Sequence, residues 1–420
     1  MDQEMDREME RETDRGTGRG TGRETDRGAD RGADGITTLT TTEGLAGFCA
    51  RAREHPYVTV DTEFLRERTY YSRLCLVQLA LPTDAPEDAV LVDPLVEGLS
   101  LEPLYELFRD PGVVKVFHAA RQDLEIFMVD GGLIPAPLFD TQVAAMVCGF
   151  GEQVGYETLV RKIVRQPLDK SSRFTDWSRR PLSAAQKAYA IGDVTHLRGI
   201  YEFLSKKISD TGRQGWVEEE MAVLSNPETY VTHPRDAWKR LKTRTNSGKF
   251  LAVARELAAF REDYAQRRNI PRSRVFKDDA LLELASTRPR SMKELGRSRL
   301  LLREARRGEI AEGILAAVKA AESCEPKDYP KPPTRRENQR ANPALSDLLR
   351  VLLKARSESA GVAQKLIATS ADLDLIAAGD TTVPAFTGWR AQVFGNDARR
   401  LCEGRVALAV KGKAVEVVDL

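Results

Sequence analysis

The run Tyr57-Val58-Thr59-Val60-Asp61-Thr62-Glu63-Phe64 decides the fold. It is a short β-branched stretch that ends in two carboxylates, Asp61 and Glu63. A second apolar run, Phe117-His118-Ala119-Ala120-Arg121-Gln122-Asp123-Leu124, passes into a helix and brings Asp123. A third piece, Tyr189-Ala190-Ile191-Gly192-Asp193, lies inside a long helical pattern. Tyr189 and Asp193 stand at i and i+4 and therefore share a side of that helix. Taken singly, each piece has an ordinary explanation: a chance D-x-E, a helix-capping Asp, a helix-face pair. Their order, spacing and context carry the reading. Four carboxylates at the ends of apolar elements are costly to bring together unless cations hold them. Hard divalent cations such as Mg²⁺ prefer carboxylate oxygens, and a pair of them clamping a phosphodiester is a standard means of cleaving it.

Outward from this run, residues 36–208 read as α/β. Tyr57–Asp61, Arg73–Leu81 and Ala89–Val92 form three strands on short loops, an antiparallel meander. Glu43–Glu54 and Leu101–Phe108 read as helices, Val113–Phe117 as a buried strand, and Asp123–Val129 as a helix stopped by Gly131-Gly132. Thr141–Cys148 and Glu157–Val164 are further helices. Ser183 with Gln186 makes a capping box that opens the helix of Tyr189 and Asp193. From 226 onward the pattern turns helical, with helices expected at Trp238–Arg244, Lys249–Arg267, Asp278–Ala285, Ser291–Leu295 and Leu300–Ala321. Prolines at 326, 330, 332 and 333 place a linker at 322–340. Residues 341–420 form another unit, ending in a hairpin of Val406–Val410 and Ala414–Val418 around Gly412. Residues 1–35 repeat Arg every fourth position from Arg7 to Arg31 with almost nothing apolar between, which reads as a disordered tail.

The motifs Val60-Asp61-Thr62-Glu63-Phe64, His118-Ala119-Ala120-Arg121-Gln122-Asp123-Leu124 and Tyr189-Ala190-Ile191-Gly192-Asp193-Val194 resemble those of the ribonuclease D family. Tyr71–Leu79 and Leu168-Asp169-Lys170-Ser171 resemble its connecting segments. Residues 226–312, with Ala237-Trp238-Lys239-Arg240, Arg255-Glu256-Leu257-Ala258 and Asp278–Ala285, resemble an HRDC domain, and Gly388-Trp389-Arg390 suggests a second HRDC-like copy over 341–420. The resemblance implies an α/β ribonuclease H-like exonuclease domain at 36–208, a mixed sheet with flanking helices, followed by all-α HRDC-type domains. It implies 3′-to-5′ trimming of RNA, with tRNA precursors as substrate and 5′-nucleoside monophosphates as products. Asp61, Glu63, Asp123 and Asp193 would hold two divalent ions, Mg²⁺ or Mn²⁺, and the Tyr189 hydroxyl would orient the attacking water. A related subclass places His five residues before the last Asp. Position 188 here is Ala, which disfavours it. Thr62, Phe64, His118 and Lys170 are the expected substrate contacts, with Arg173 and Arg180 as further phosphate contacts. Asp140 is expected to cap a helix near the site, Trp177 to be core, and His196 to be peripheral.

Composition sets the outer bounds. A hydrophobic content of 41% supports real cores, and no apolar stretch is long enough to span a membrane. The N-terminus has no apolar signal region. Five cysteines without a C-x-x-C pair argue against a zinc site or disulfide frame and suit a reducing cytoplasm. The net charge of +1 says little about nucleic acid, but its distribution says more. Residues 226–300 carry 18 Lys plus Arg against 9 Asp plus Glu, a net of +9, while residues 1–35 carry a net of −4. A basic region attached to an acidic site suits an enzyme that grips a polyanion, or else a solvated helical surface. Two other functions fit the same residues: a DNA 3′-5′ exonuclease of the same superfamily, and a catalytically silent RNA-binding protein. The five signature residues argue against the silent protein, and the HRDC-like tail argues for RNA over DNA. No protein partner is expected.

Overall fold

The computed structural model describes residues 29–31, 35–168, 172, 175–243, 245, 247–331 and 342–420. Expectations for residues 1–28, Lys170, Arg173 and residues 332–340 of the Pro-rich linker fall outside them. Seven strands form one mixed sheet. They are β1 (Ala29–Arg31), β2 (Thr37–Leu39), β3 (Tyr57–Leu65), β4 (Arg73–Ala80), β5 (Ala89–Val92), β6 (Val114–Phe117) and β7 (Leu138–Asp140), ordered β1-β2-β5-β4-β3-β6-β7. The expected meander is there: β3 pairs antiparallel with β4, and β4 with β5. β6 joins β3 in parallel, β7 joins β6 in parallel, and β2 runs parallel to β5. β1 lies inside the tail read as disordered. It adds to the edge through backbone hydrogen bonds to β2, which need no apolar side chains.

Side-chain alternation sorts the sheet into two faces. Val58 and Val60 of β3 and Val77 and Leu79 of β4 face helices α1 (Thr42–Ala52), α2 (Glu102–Arg109) and α3 (Arg121–Gly131), in a core with Phe48, Phe108, Phe117 and Phe127. On the other face, Leu76, Ala80 and Leu91 meet α6 (Ala184–Asp210), a 27-residue helix that crosses the middle strands. Between them in sequence lie α4 (Thr141–Val147) and α5 (Tyr156–Leu159), the latter continuing into a π-turn over Val160–Val164. Helix α7 (Gln214–Leu224) follows α6. Its Val217 and Met221 are buried with α4 and α6, and Leu224 packs against the sheet core as well.

The C-terminal half is helical and holds two units that share part of their layout. The first has α8 (Gly248–Arg268), α9 (Arg272–Val275), α10 (Asp278–Thr287), α11 (Met292–Leu295) and α12 (Gly308–Glu322). The second has α13 (Pro343–Ala360), α14 (Gln364–Ile367), α15 (Ser370–Ala377), α16 (Gly388–Arg390) and α17 (Asn396–Cys402). In each, a long helix ends in a left-handed residue, Asn269 or Gly361, and a four-residue helix follows. Each later makes a 3-10 turn and opens its next helix on a glycine at positive φ, Gly308 (64°) or Gly388 (53°). β8 (Val406–Lys411) and β9 (Ala414–Asp419) form the expected hairpin.

Two expected helices differ. Trp238–Arg244 is a 3-10 stretch over Pro234–Arg240 that turns extended at Leu241. Pro234 starts a tight turn, and Trp238 is buried under α8 instead of continuing a helical face. Leu300–Ala321 begins as a helix only at Gly308. Arg307 is extended, and the left-handed turn at Gly308 separates the apolar run at 300–302 from the helix proper.

Candidate active site

Strand alternation places the first two carboxylates. Thr59 faces α6 and donates to the carbonyl of Val194 at 2.8 Å, so Asp61 and Glu63, two and four residues on, face α6 too. Asp193 lies on the side of α6 turned to the sheet, 9% exposed. Carboxylate oxygens of Asp61, Glu63 and Asp193 lie within 4.8 Å of one another. A bulge in the β3–β4 pairing falls at Glu63/Phe64, where the strand end is re-aimed beside the site.

Asp123 comes from the opposite side. It is in the first turn of α3, buried, and accepts a hydrogen bond from the Thr62 hydroxyl. The turn that delivers it is strained: Ala119 sits at φ 58°. Asp140 braces this turn, accepting from Ala119 N at 3.0 Å and Ala120 N at 2.9 Å while capping α4 through Gln142 N at 2.7 Å. The expected cap is therefore real, and it also holds the loop that aims Asp123.

The charges in this cluster oppose one another. Burial pushes Asp61 well above the usual carboxylate range, and Asp193, Asp123 and Glu63 add to the shift. Burial raises Asp123 to about 7. Burial also pushes the Tyr189 phenol up, reinforced by Asp193, Glu63 and Asp61, so it stays protonated near neutral pH. Tyr189 hydrogen-bonds Asp193 one turn on and packs on buried Trp177, ring centroids 6.0 Å apart. The carboxylate oxygens of Asp61, Glu63 and Asp193 form a donor set suited to a hard divalent cation, and Asp123 lies outside that group but within electrostatic reach of Asp61.

Beside the cluster opens a cavity of about 310 Å³ lined by Asp61, His118, Tyr156, Tyr189, Asp193 and Leu197 among others. The hydroxyl of Thr141 donates to Phe117 O and lies 3.0 Å from His118 Nδ1. It must accept from that nitrogen, which leaves His118 Nε2 as an acceptor. Burial lowers the His118 pKa, which keeps it neutral. Thr62 and Phe64 face away from this cavity. Thr62 is held by Asp123, and Phe64 packs against the core under α1–α3. Alternation along β3 explains both. Arg180 is engaged by Asp93, at 2.7 Å through Nη2, and by the carbonyl of Cys75, so it is not free for phosphate. His196 is outside the metal-capable cluster among the described residues.

Two residues escaped the sequence reading. Gln78 pairs in register with Asp61 across β3–β4, is fully buried, and leaves both amide atoms without a partner. Directly opposed residues have Cβ atoms about 4.5–5.5 Å apart, so a buried polar amide flanks Asp61. Tyr156 donates to the carbonyls of Gly192 at 3.0 Å and Asp193 at 2.7 Å, which fixes α6 at the level of Asp193. Only the pairing of distant elements reveals either.

A family profile described as a 3'-5' exonuclease matches residues 36–209, and one described as an HRDC domain matches 250–318. The chain is 65% identical over 383 residues to a ribonuclease D of Jannaschia sp. (strain CCS1), covering 91% of this chain and 99% of that protein. It is 50% identical over 384 residues to a ribonuclease D of Granulibacter bethesdensis, covering 91% and 96%. The crystal structure of Escherichia coli RNase D, an exoribonuclease involved in structured RNA processing, aligns with a TM-score of 0.76 at 29% identity, covering 88% of this chain and 99% of that one. Sheet, acidic cluster, helical tail and relatives agree, and the chain belongs to the ribonuclease D family of 3′-5′ exoribonucleases.

Proposed function

We propose that this enzyme trims the 3′ ends of tRNA precursors in the cytoplasm, one nucleotide at a time, releasing 5′-nucleoside monophosphates. Two divalent cations, Mg²⁺ or Mn²⁺, would serve it. The observation that carries the reading is the cluster of Asp61, Glu63 and Asp193 within 4.8 Å, with Asp123 raised to about 7 nearby. Such a cluster is favourable in its charged form only with a cation among its oxygens. Asp61, Glu63, Asp123 and Asp193 are the proposed ligands. Divalent ions bound there would acidify water and stabilise charge on the leaving oxygen.

The protein's own groups orient the reaction. Tyr189, protonated and donating its O–H to Asp193, presents its hydroxyl oxygen to the attacking water as a positioning acceptor, not as a phenolate base. His118 Nε2 lines the cavity as an acceptor suited to a ribose hydroxyl. Thr62 acts by holding Asp123. Lys170 is retained as a proposed phosphate contact from its motif alone. We further propose residues 226–312 as a first HRDC domain and 341–420 as a second. The shared order of long helix, left-handed cap, four-residue helix, 3-10 turn and positive-φ glycine in the two units supports the duplication, although α11 has no counterpart in the second. Among the described residues no helix is long and apolar enough to cross a membrane.

The test is digestion of a 3′-extended tRNA with Mg²⁺, with Mn²⁺ and with EDTA, using wild type and Asp193→Asn. Trimming is expected with either metal and none with EDTA. Asp193→Asn should lose about a hundredfold or more in rate while still binding RNA. Near-normal turnover of the mutant at saturating Mg²⁺ removes Asp193 from the ligand set. Equal digestion of a DNA oligomer would favour the DNA-exonuclease reading.

A further inference from the structure

Between the nuclease sheet and the first helical unit lies a polar groove of about 370 Å³. Arg121 and Glu125 of α3, Arg66 of the β3–β4 connection, Tyr230, and Arg240 and Arg272 of the helical half line it. Four arginines therefore face one carboxylate. Arg66 is paired with Glu125 at 3.2 Å, and Arg272 with Glu262. Arg121 and Arg240 form no ion pair with a described carboxylate. Their hydrogen bonds are long ones, to Thr229 O at 3.3 Å and Thr232 Oγ1 at 3.4 Å.

We propose that this groove is a subsite for the phosphodiester backbone of RNA, with Arg121 and Arg240 as its principal anion contacts. The proposal rests on the reading of the chain as an RNA-trimming enzyme. Three features support it. Guanidinium groups suit phosphate oxygens, which accept their parallel N–H donors. Arg121 and Gln122 immediately precede Asp123, so the groove runs along the same helix end that feeds the acidic cluster, and Tyr230 lies within electrostatic reach of both Arg121 and Asp123. The two walls are also locked together. Asn269 Oδ1 accepts from Tyr70 N at 3.1 Å and Tyr71 N at 3.0 Å. The Tyr70 hydroxyl donates to Glu262, which is 1% exposed and itself held by Arg272 Nη2 at 2.6 Å. The groove is therefore preformed, and binding does not spend free energy on assembling it.

The experiment measures binding of a short unstructured fluorescent RNA to the full-length protein in EDTA, by anisotropy at several salt concentrations. Arg121→Gln/Arg240→Gln should weaken binding roughly tenfold and lower the slope of log affinity against log salt by about 1.4, two single-strand phosphate contacts. Arg121→Lys/Arg240→Lys should restore most of the slope, which a merely structural role would not do. Glu125→Gln, which removes the competing carboxylate, should tighten binding. A thermal scan of each variant confirms its fold. Unchanged slopes in the glutamine variant, or unchanged affinity in Glu125→Gln, overturn the subsite. Because binding is read without hydrolysis, the two readings fail separately. Hydrolysis by wild type with unchanged slopes removes the groove alone, and changed slopes without any RNA hydrolysis remove the trimming function alone.

Discussion

At the scale of residues, the site is an electrostatic conflict that the fold maintains. Burial raises the Asp123 carboxyl to about 7, against an unfolded value near 4. The folded state therefore binds this proton more tightly than the unfolded chain does. Its stabilising contribution is complete below about pH 4 and is lost as pH rises through about 7. Without metal, the unfolding midpoint should fall between pH 6 and pH 8 by about a few degrees, and Mg²⁺ should reverse the loss at pH 8. Calorimetry in EDTA and in Mg²⁺ checks this, and a midpoint that rises with pH in EDTA refutes it. Tyr189→Phe should keep the fold and bind RNA normally but turn over more slowly, because only the orienting hydroxyl is lost. Gln78→Leu separates function from stability. It removes two unpartnered buried amide atoms and should leave stability equal or greater, yet slow turnover if the amide serves the water structure beside Asp61. Stopped-flow turnover together with a denaturation curve reads both effects. The motifs that carry Asp61, Glu63 and Asp193, whose carboxylates the structure brings together, stood out in the sequence because they are short and local. Gln78 was not, since its partner Asp61 is brought opposite only by the β3–β4 register.

At the scale of elements, α6 has to present Tyr189 and Asp193 at one height above β3. Two hydroxyl donors set that height. Thr59 on β3 donates to Val194 O, and Tyr156 at the start of α5 donates to the carbonyls of Gly192 and Asp193. Thr59→Val and Tyr156→Phe should each cost about 1 kcal/mol of stability, a buried hydrogen bond apiece. Both should also lower kcat more than KM, because they disturb ligand height and not the RNA contacts. A mutant that loses stability without losing kcat would show that α6 is held by packing alone. The elements themselves were readable where local signals were strong. The Ser183–Gln186 capping box opens α6 where expected, and alternation gave the β3–β4–β5 meander. The failures have a common cause. Trp238 and Leu301 read as parts of helices, but each serves the core from a turn, while Leu300 and Leu302 beside Leu301 are exposed. Trp238 and Leu301 both pack into the first helical unit without belonging to a helix.

At the scale of the whole molecule, the nuclease sheet and the helical units are joined through α7 and the β3–β4 turn. Trp216 on α7 stacks on Trp389 with ring centroids 4.7 Å apart, and Glu220 takes Arg390 and the Trp389 indole N–H. On the other side, Asn269 and Glu262 hold Tyr70 and Tyr71, a few residues beyond Glu63. The cut at 208 read from the sequence follows the end of the α6 pattern, but α7 beyond it buries Val217 and Met221 against α4 and α6. Removing α7 should therefore expose core that burial had stabilised by about 1.5–3 kcal/mol per side chain. A chain ending at 232, which retains α7 and Tyr230, should unfold several degrees above a chain ending at 210. Both lack residues 233–300, whose 18 Lys plus Arg stand against 8 Asp plus Glu. Both should therefore bind a tRNA-sized substrate more weakly than the full chain, with a salt slope shallower by about 0.7–0.9 for each phosphate that the shortened chain no longer neutralises. Midpoints from thermal scans and slopes from salt titration report the two effects independently. Equal midpoints would mean that α7 belongs energetically to the helical half. Equal slopes in the full and shortened chains would mean that the basic helices are a solvated surface and that polyanion binding rests on the nuclease half.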